Sequence, residues 1–274
     1  MIAALLNPTL WAGVAALCHA LVLAYVLITQ TSVLVRTQLL AVLATSIVWG
    51  VLVVQPGLLG RASGFPATFY ALEVVHLFSW YALVHRLLRG PYGQSMPEVV
   101  TRLLRLFWAV VVGVSVLVGW VVLREAPPWQ GPLFSVIVAC IALVILALAA
   151  QLGRDAPIES RTALRSLVAA TALAAGGQAL MGIVGATGTG VPGWLLAGNA
   201  ALLTAAGLLL LFGLRLRPQW SLAIFVSPEA RSYAPRFLGA LSILLLVLLL
   251  LPVFRAMPPA GAQQAALLLA VGAG

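Results

Sequence analysis

The sequence predicts an all-α protein, a polytopic bundle of transmembrane helices with its amino terminus outside. Three observations carry this. Hydrophobic residues fill 63% of the 274 positions and charged residues only 8%, whereas a soluble domain has about a quarter of its residues charged. The apolar residues fall into successive runs of roughly 18 to 22, the length a helix needs to cross the hydrocarbon core. The 15 basic residues are all arginine and gather at the ends of those runs. A β-barrel would show short alternating segments, and the sequence has none.

Taken in order, eight runs are long enough to span: Leu10–Thr29, Thr37–Val54, Ala67–Leu88, Leu106–Leu123, Pro132–Leu152, Ala163–Val184, Leu195–Leu214 and Phe237–Phe254. A ninth begins near Gln263 and reaches Gly274 after roughly a dozen residues, short of a crossing. It reads as a truncated span, a helix cut partway in a longer protein. No basic stretch precedes the first run, so it is retained as a span and not cleaved as a signal peptide. Cys18 follows Leu17 and lacks the small residue that precedes a lipidated bacterial cysteine. Cys18 and Cys140 both fall within spans, which points to neither a disulfide framework nor a metal site.

Orientation follows from the arginines. With the amino terminus outside, Arg36, Arg86, Arg89, Arg102, Arg105, Arg154, Arg161, Arg165, Arg215, Arg217, Arg231 and Arg236 face the cytoplasm, and only Arg61, Arg124 and Arg255 lie outside. Twelve against three satisfies the positive-inside rule. The net charge of +9 is therefore read as orienting the chain, with no nucleic-acid partner. Trp11, Trp120, Trp129 and Trp194 mark the outer interface, and Trp108 and Trp220 the inner one. The outer loops are too short to fold as a domain, so any stimulus is met within the membrane or at its surface. Span six is rich in small residues, from Ala169 to Gly177, as close helix packing requires. The spans show no inverted repeat of the kind many transporters carry.

The third span holds Glu73, the one acid inside an apolar run, with His76 one turn later on the same face. An ionisable group at membrane depth is costly unless it faces the protein interior, water or a partner. Counting about 1.5 Å per residue, Glu73, His76, Gln178 and Asn199 fall in the outer half of the bilayer, and His19 nearer the midplane. Two readings are open. One is a small ligand- or proton-sensitive cavity opening outward, in which Glu73 and His76 share a proton. The other is a set of interhelical hydrogen bonds joining spans three, six and seven, each contributing about 1 kcal/mol or less. No third and fourth ligand accompany His19 to make a metal site. No nucleophile elbow, phosphate-cradling loop or zinc-protease helix occurs, so no catalytic residue is assigned. The GxG within Gly185 to Gly193 follows no strand and is not a nucleotide fingerprint.

The loop after span seven reads Pro218-Gln219-Trp220-Ser221-Leu222, then Ile224-Phe225-Val226-Ser227, then Arg231 leading toward another span. This run resembles the membrane region of PEP-CTERM-system sensor histidine kinases of the PrsK type. Leu72-Glu73 followed by Trp80 and Leu87-Leu88-Arg89 is similar to that family's third span, and Gly198-Asn199 to its seventh. His76 departs from the family's basic residue, and Gly176-Gly177-Gln178 from an aromatic-acid pair.

The resemblance implies that residues 1–274 are a transmembrane input domain, with GAF-like and kinase domains beyond. ATP and magnesium would serve that kinase part, and this chain would hold no cofactor. The partners implied are the lipid bilayer, a second copy through the cytoplasmic part, and a cognate response regulator. The setting is the bacterial inner membrane and the regulated genes those of PEP-CTERM and exopolysaccharide export. Trp220, Ser221, Phe225, Ser227 and Arg231 would form the cytoplasmic coupling loop. A small proton-coupled transporter and a scaffold subunit of an export complex are the alternative readings.

Overall fold

The structure, a computed structural model, describes residues 7–28, 36–54, 67–89, 102, 104–109, 111–113, 130–155, 161–187 and 191–216. Among them are six long helices: α1 (Pro8–Ile28), α2 (Arg36–Val54), α3 (Ala67–Arg89), α4 (Gln130–Asp155), α5 (Arg161–Ala186) and α6 (Gly193–Leu216). No strand occurs among the described residues. Five of these helices, α1, α2, α4, α5 and α6, are long and apolar enough to cross a membrane. Length does not set α3 apart, since it runs 23 residues. Its difference is polarity, from Glu73, His76, Ser79, His85 and the closing arginines.

The expected count of eight spans and a ninth is not supported. The fourth expected span is described only in part, as a short apolar helix at Leu104–Gly113. The eighth span, the ninth run, and Trp120, Trp129 and the loop residues Trp220, Ser221, Phe225, Ser227 and Arg231 lie outside the described residues.

The helix ends follow from local chemistry. Pro8 opens α1 at a position where its missing N–H costs nothing. Asn7 caps that helix, its Oδ1 accepting from the Thr9 and Leu10 amides at 3.0 and 3.4 Å. At the end of α5, Thr187 closes a turn on the Val184 carbonyl through both its amide, at 3.0 Å, and its hydroxyl, at 2.7 Å.

The six helices form a ring in chain order, each packed on the next, with α6 closing against α1. Cross-contacts fix the directions. Tyr70 near the start of α3 stacks on Phe134 near the start of α4, ring centroids 4.0 Å apart, so these two neighbours run parallel. The residues between Arg89 and Gln130 thus join opposite ends of the bundle. Late residues of α2 meet early ones of α1 and α3, at Gly50–Ala12 and Trp49–Glu73, and late residues of α5 meet early ones of α4 and α6, at Gly182–Ser135 and Gly177–Asn199, so the starts of α1 and α6 share an end. The starts of α1, α3, α4 and α6 therefore meet the ends of α2 and α5. Every arginine in the six helices (Arg36, Arg86, Arg89, Arg154, Arg161, Arg165 and Arg215) lies near the other end.

Two close approaches hold the ring together. A Cβ on Gly50 of α2 would lie 2.7 Å from the Ala12 carbonyl oxygen of α1. A Cβ on Gly182 of α5 would lie 2.6 Å from the Ser135 carbonyl oxygen and 2.7 Å from the Ala139 amide of α4. Small residues bring membrane helices this near, where dispersion contacts replace the absent hydrophobic drive. The buried alanines Ala170, Ala174 and Ala175 of α5 serve the same end. The most apolar and most buried of the five candidate spans is α4.

The short helix at Leu104–Gly113 lies against the second half of α3. Its Trp108 meets Phe78 and Tyr81 edge-on, at 4.7 and 4.9 Å between centroids. Expected as an interfacial anchor, Trp108 instead has its indole packed on a neighbouring helix with the N–H buried. Trp194, at the start of α6, is 59% exposed, as an interfacial anchor is.

Candidate functional site

The five polar residues singled out in the sequence all face the interior. His19, Glu73, His76 and Gln178 are 0% exposed and Asn199 1%. They come from α1, α3, α5 and α6, and α2 completes the group with Ser46 and Trp49. Glu73, Trp49, Gln178 and Asn199 lie about 7 to 12 Å from the arginine-poor end, and His76, Ser46 and His19 about a turn deeper. All five side chains are shielded from solvent.

Glu73 and His76 share a face of α3, as their spacing predicts, yet they do not bond to each other. Both turn to α2. The Trp49 indole N–H donates to Glu73 Oε1 at 2.5 Å. His76 Nε2 receives the Trp80 indole N–H at 3.2 Å and lies 3.0 Å from the Ser46 hydroxyl. An indole nitrogen can only donate, so Nε2 is the bare nitrogen and a neutral His76 carries its proton on Nδ1. That Nδ1 has no partner. Below it, Ser79 donates to the His76 carbonyl at 2.6 Å and meets Thr45 Oγ1 at 2.9 Å. The α2–α3 seam is thus a polar ladder.

His19 shows the reverse arrangement. Its Nδ1 lies 2.8 Å from the Ala15 carbonyl, which can only accept, so Nδ1 carries the proton and the buried, unpartnered Nε2 is an acceptor. Gly207 of α6 makes room for this ring, since a Cβ there would lie 3.2 Å from His19 Cε1 and 3.0 Å from Cys18 Sγ. Gly177 does the same for Asn199, whose carboxamide fills the space a Cβ would take. The Gln178 amide sits beside the Glu73 carboxyl without closing a hydrogen bond of sound geometry. The second carboxyl oxygen of Glu73 and both amide atoms of Gln178 and of Asn199 are buried and unbonded.

These observations bear on the two readings of the amides. Asn199 closes no cross-helix hydrogen bond, and Gln178 reaches across to the Glu73 carboxyl without meeting it in sound geometry. A buried polar group left unpaired costs about 1 to 3 kcal/mol. No group of three or more potential metal ligands occurs among the described residues.

Sequence reasoning missed Trp49 and Ser46 as partners. The available signal was a tryptophan seated deep in an apolar run, away from either interface, whose N–H needs an acceptor wherever it is buried. No family model, curated protein or solved structure matches the chain.

Proposed function

We propose that this chain is the membrane-embedded input module of a bacterial two-component sensor histidine kinase, with Glu73 as the responding group. The observation that carries the responding role is the Glu73 carboxyl: fully buried, bonded on one oxygen by Trp49, and approached by the Gln178 amide of another helix. The kinase assignment itself rests on the likeness of Pro218 to Ser227 and of Leu72 to Arg89 to the PrsK-type sensors.

In this proposal the chain crosses the inner membrane eight times, with the amino terminus outside and a ninth span leading to the cytoplasm. The gathering of helix arginines at one end supports that orientation. A stimulus that prefers one packing of α3, α5 and α6 over another, by on the order of 1 to 3 kcal/mol, shifts the population of the two packings. The shift passes through the loop at Trp220 to Arg231 to a dimeric cytoplasmic kinase. There ATP phosphorylates a histidine outside this chain, and the phosphoryl group moves to a response regulator governing PEP-CTERM and exopolysaccharide genes.

The test uses membranes containing the complete gene product, supplied with radiolabelled ATP and magnesium. Phosphohistidine forms in the wild type, and Glu73→Gln changes its initial rate about fivefold or more at equal abundance. Absence of phosphohistidine refutes the kinase assignment. An unchanged rate in Glu73→Gln removes that residue from signalling. Proton-driven solute uptake into proteoliposomes would select the transporter in its place.

A further inference from the structure

Among the described residues, eight buried side-chain atoms lack a hydrogen-bond partner, and seven of them belong to the five residues of the polar core. Their chemistry defines what would complete them. Glu73 Oε2, Gln178 Oε1, Asn199 Oδ1 and His19 Nε2 are four acceptors without a donor. The unused donors are His76 Nδ1–H and the two amide groups. The acceptor side also carries the charge. Arg86, the first arginine after Glu73 on its helix, lies about 20 Å along the axis, and the other helix arginines share that distant end. A carboxylate in hydrocarbon is stable only when paired, and among the described residues no arginine is placed to pair it.

A small ligand that brings a positive charge together with several N–H donors supplies both missing terms. A bare proton would neutralise the carboxyl and give it one O–H donor, enough for the Gln178 oxygen beside it, and would leave Asn199 Oδ1 and His19 Nε2 without a donor. A quaternary ammonium would bring the charge without the donors.

We propose that the polar core binds a small protonated amine, ammonium or a short primary alkylammonium, and this rests on the reading of Glu73 as the responding group. Glu73 balances the charge, and Gln178, Asn199 and His19 accept N–H bonds. The five side chains are shielded from solvent in this structure, so admitting the ligand requires the helices to part at the arginine-poor end. That parting couples occupancy to helix packing.

The experiment uses the chain in nanodiscs at mildly alkaline pH, where the amine keeps its proton and a buried carboxyl can ionise, and at constant ionic strength. Thermal unfolding is followed by near-UV circular dichroism while ammonium or methylammonium chloride replaces potassium chloride. A saturable rise in Tm of about 3 to 6 °C at tenfold over the dissociation constant is expected. Glu73→Gln, which keeps an acceptor for the Trp49 N–H, abolishes the rise. Asn199→Leu weakens apparent affinity by about tenfold or more, through loss of a hydrogen bond to a charged group. Gln178→Met carries the same test should Glu73→Gln fail to fold. An absent rise, an equal rise with tetramethylammonium, or a rise that persists in Glu73→Gln overturns the proposal. Glu73-dependent phosphorylation without amine binding would reject the amine and leave the input role standing; amine binding without phosphorylation would do the reverse.

Discussion

The α4–α5 seam and the α2–α3 seam are both buried, and they are built on opposite principles. Between α4 and α5 the backbones nearly touch at Gly182 and Ser135. The hydroxyls there are satisfied within their own helices, Ser135 on the Gly131 carbonyl and Thr171 on the Leu167 carbonyl, each at 2.9 Å. Between α2 and α3 the polar groups reach across the seam, and the core behind it keeps unbonded atoms. One seam is closed and dry and supplies stability. The other holds polar groups at a cost and can respond to something that satisfies them.

The largest expected effect breaks the dry seam. Gly182→Val would drive a branched side chain into the Ser135 carbonyl and the Ala139 amide, backbone atoms that cannot turn aside. Overpacking typically costs about 1 to 3 kcal/mol, and more where the obstacle is backbone. We expect folded protein to fall below detection by size-exclusion chromatography after membrane extraction. Recovery at wild-type yield would mean the seam is not as tight as described.

The next effect falls on the polar seam. Trp49→Phe removes the one donor that reaches Glu73 Oε1 and leaves the carboxyl wholly unpaired. The expected cost is about 1 to 3 kcal/mol, read from reversible unfolding in mixed micelles. In a Glu73→Met background the same substitution should cost at least about 1 kcal/mol less, because no carboxyl remains to be stranded. Equal costs in both backgrounds would show that the indole matters for volume alone.

How much of this was legible follows from what sequence patterns encode. The six long helices match the expected spans to within a few residues, since apolar runs bounded by arginine, proline and glycine record the bilayer directly. The inward turn of Glu73 was legible too, because lipid is a forbidden neighbour for a carboxyl. Its partners were not. Trp49 looks like any apolar residue in its run, and only the register between α2 and α3 sets its N–H opposite Glu73. The parallel pairing of α3 with α4 and the closure of α6 on α1 are also consequences of packing between distant segments, which no local period reports.

Gln178→Met changes the sign of the expected effect. Both atoms of the Gln178 amide are buried without partners, so replacing the amide with an apolar side chain of similar length removes a desolvation cost. A gain of about 1 kcal/mol is expected, together with a weaker response. A stability gain coupled to functional loss marks groups retained for activity. A loss of stability would instead show that the amide is bonded, and the distinction between the seams would weaken.

The smallest effect tests the comparison most finely, through one serine in each seam. Ser46→Ala removes a hydroxyl that bonds across helices to His76 Nε2, although the Trp80 N–H still reaches that nitrogen. A cost near 0.6 kcal/mol, the average for such bonds in a membrane protein, is expected. Ser135→Ala removes a hydroxyl bonded only to its own helix, an arrangement worth little to a helix, so the change should stay within about 0.5 kcal/mol of zero. The two substitutions delete the same atom at similar depth and burial, so their difference isolates the cross-helix bond from hydroxyl burial. If Ser135→Ala proved the costlier, the polar ladder of α2 and α3 would be incidental to holding those helices together, and the case for a responsive seam would rest on Glu73 alone.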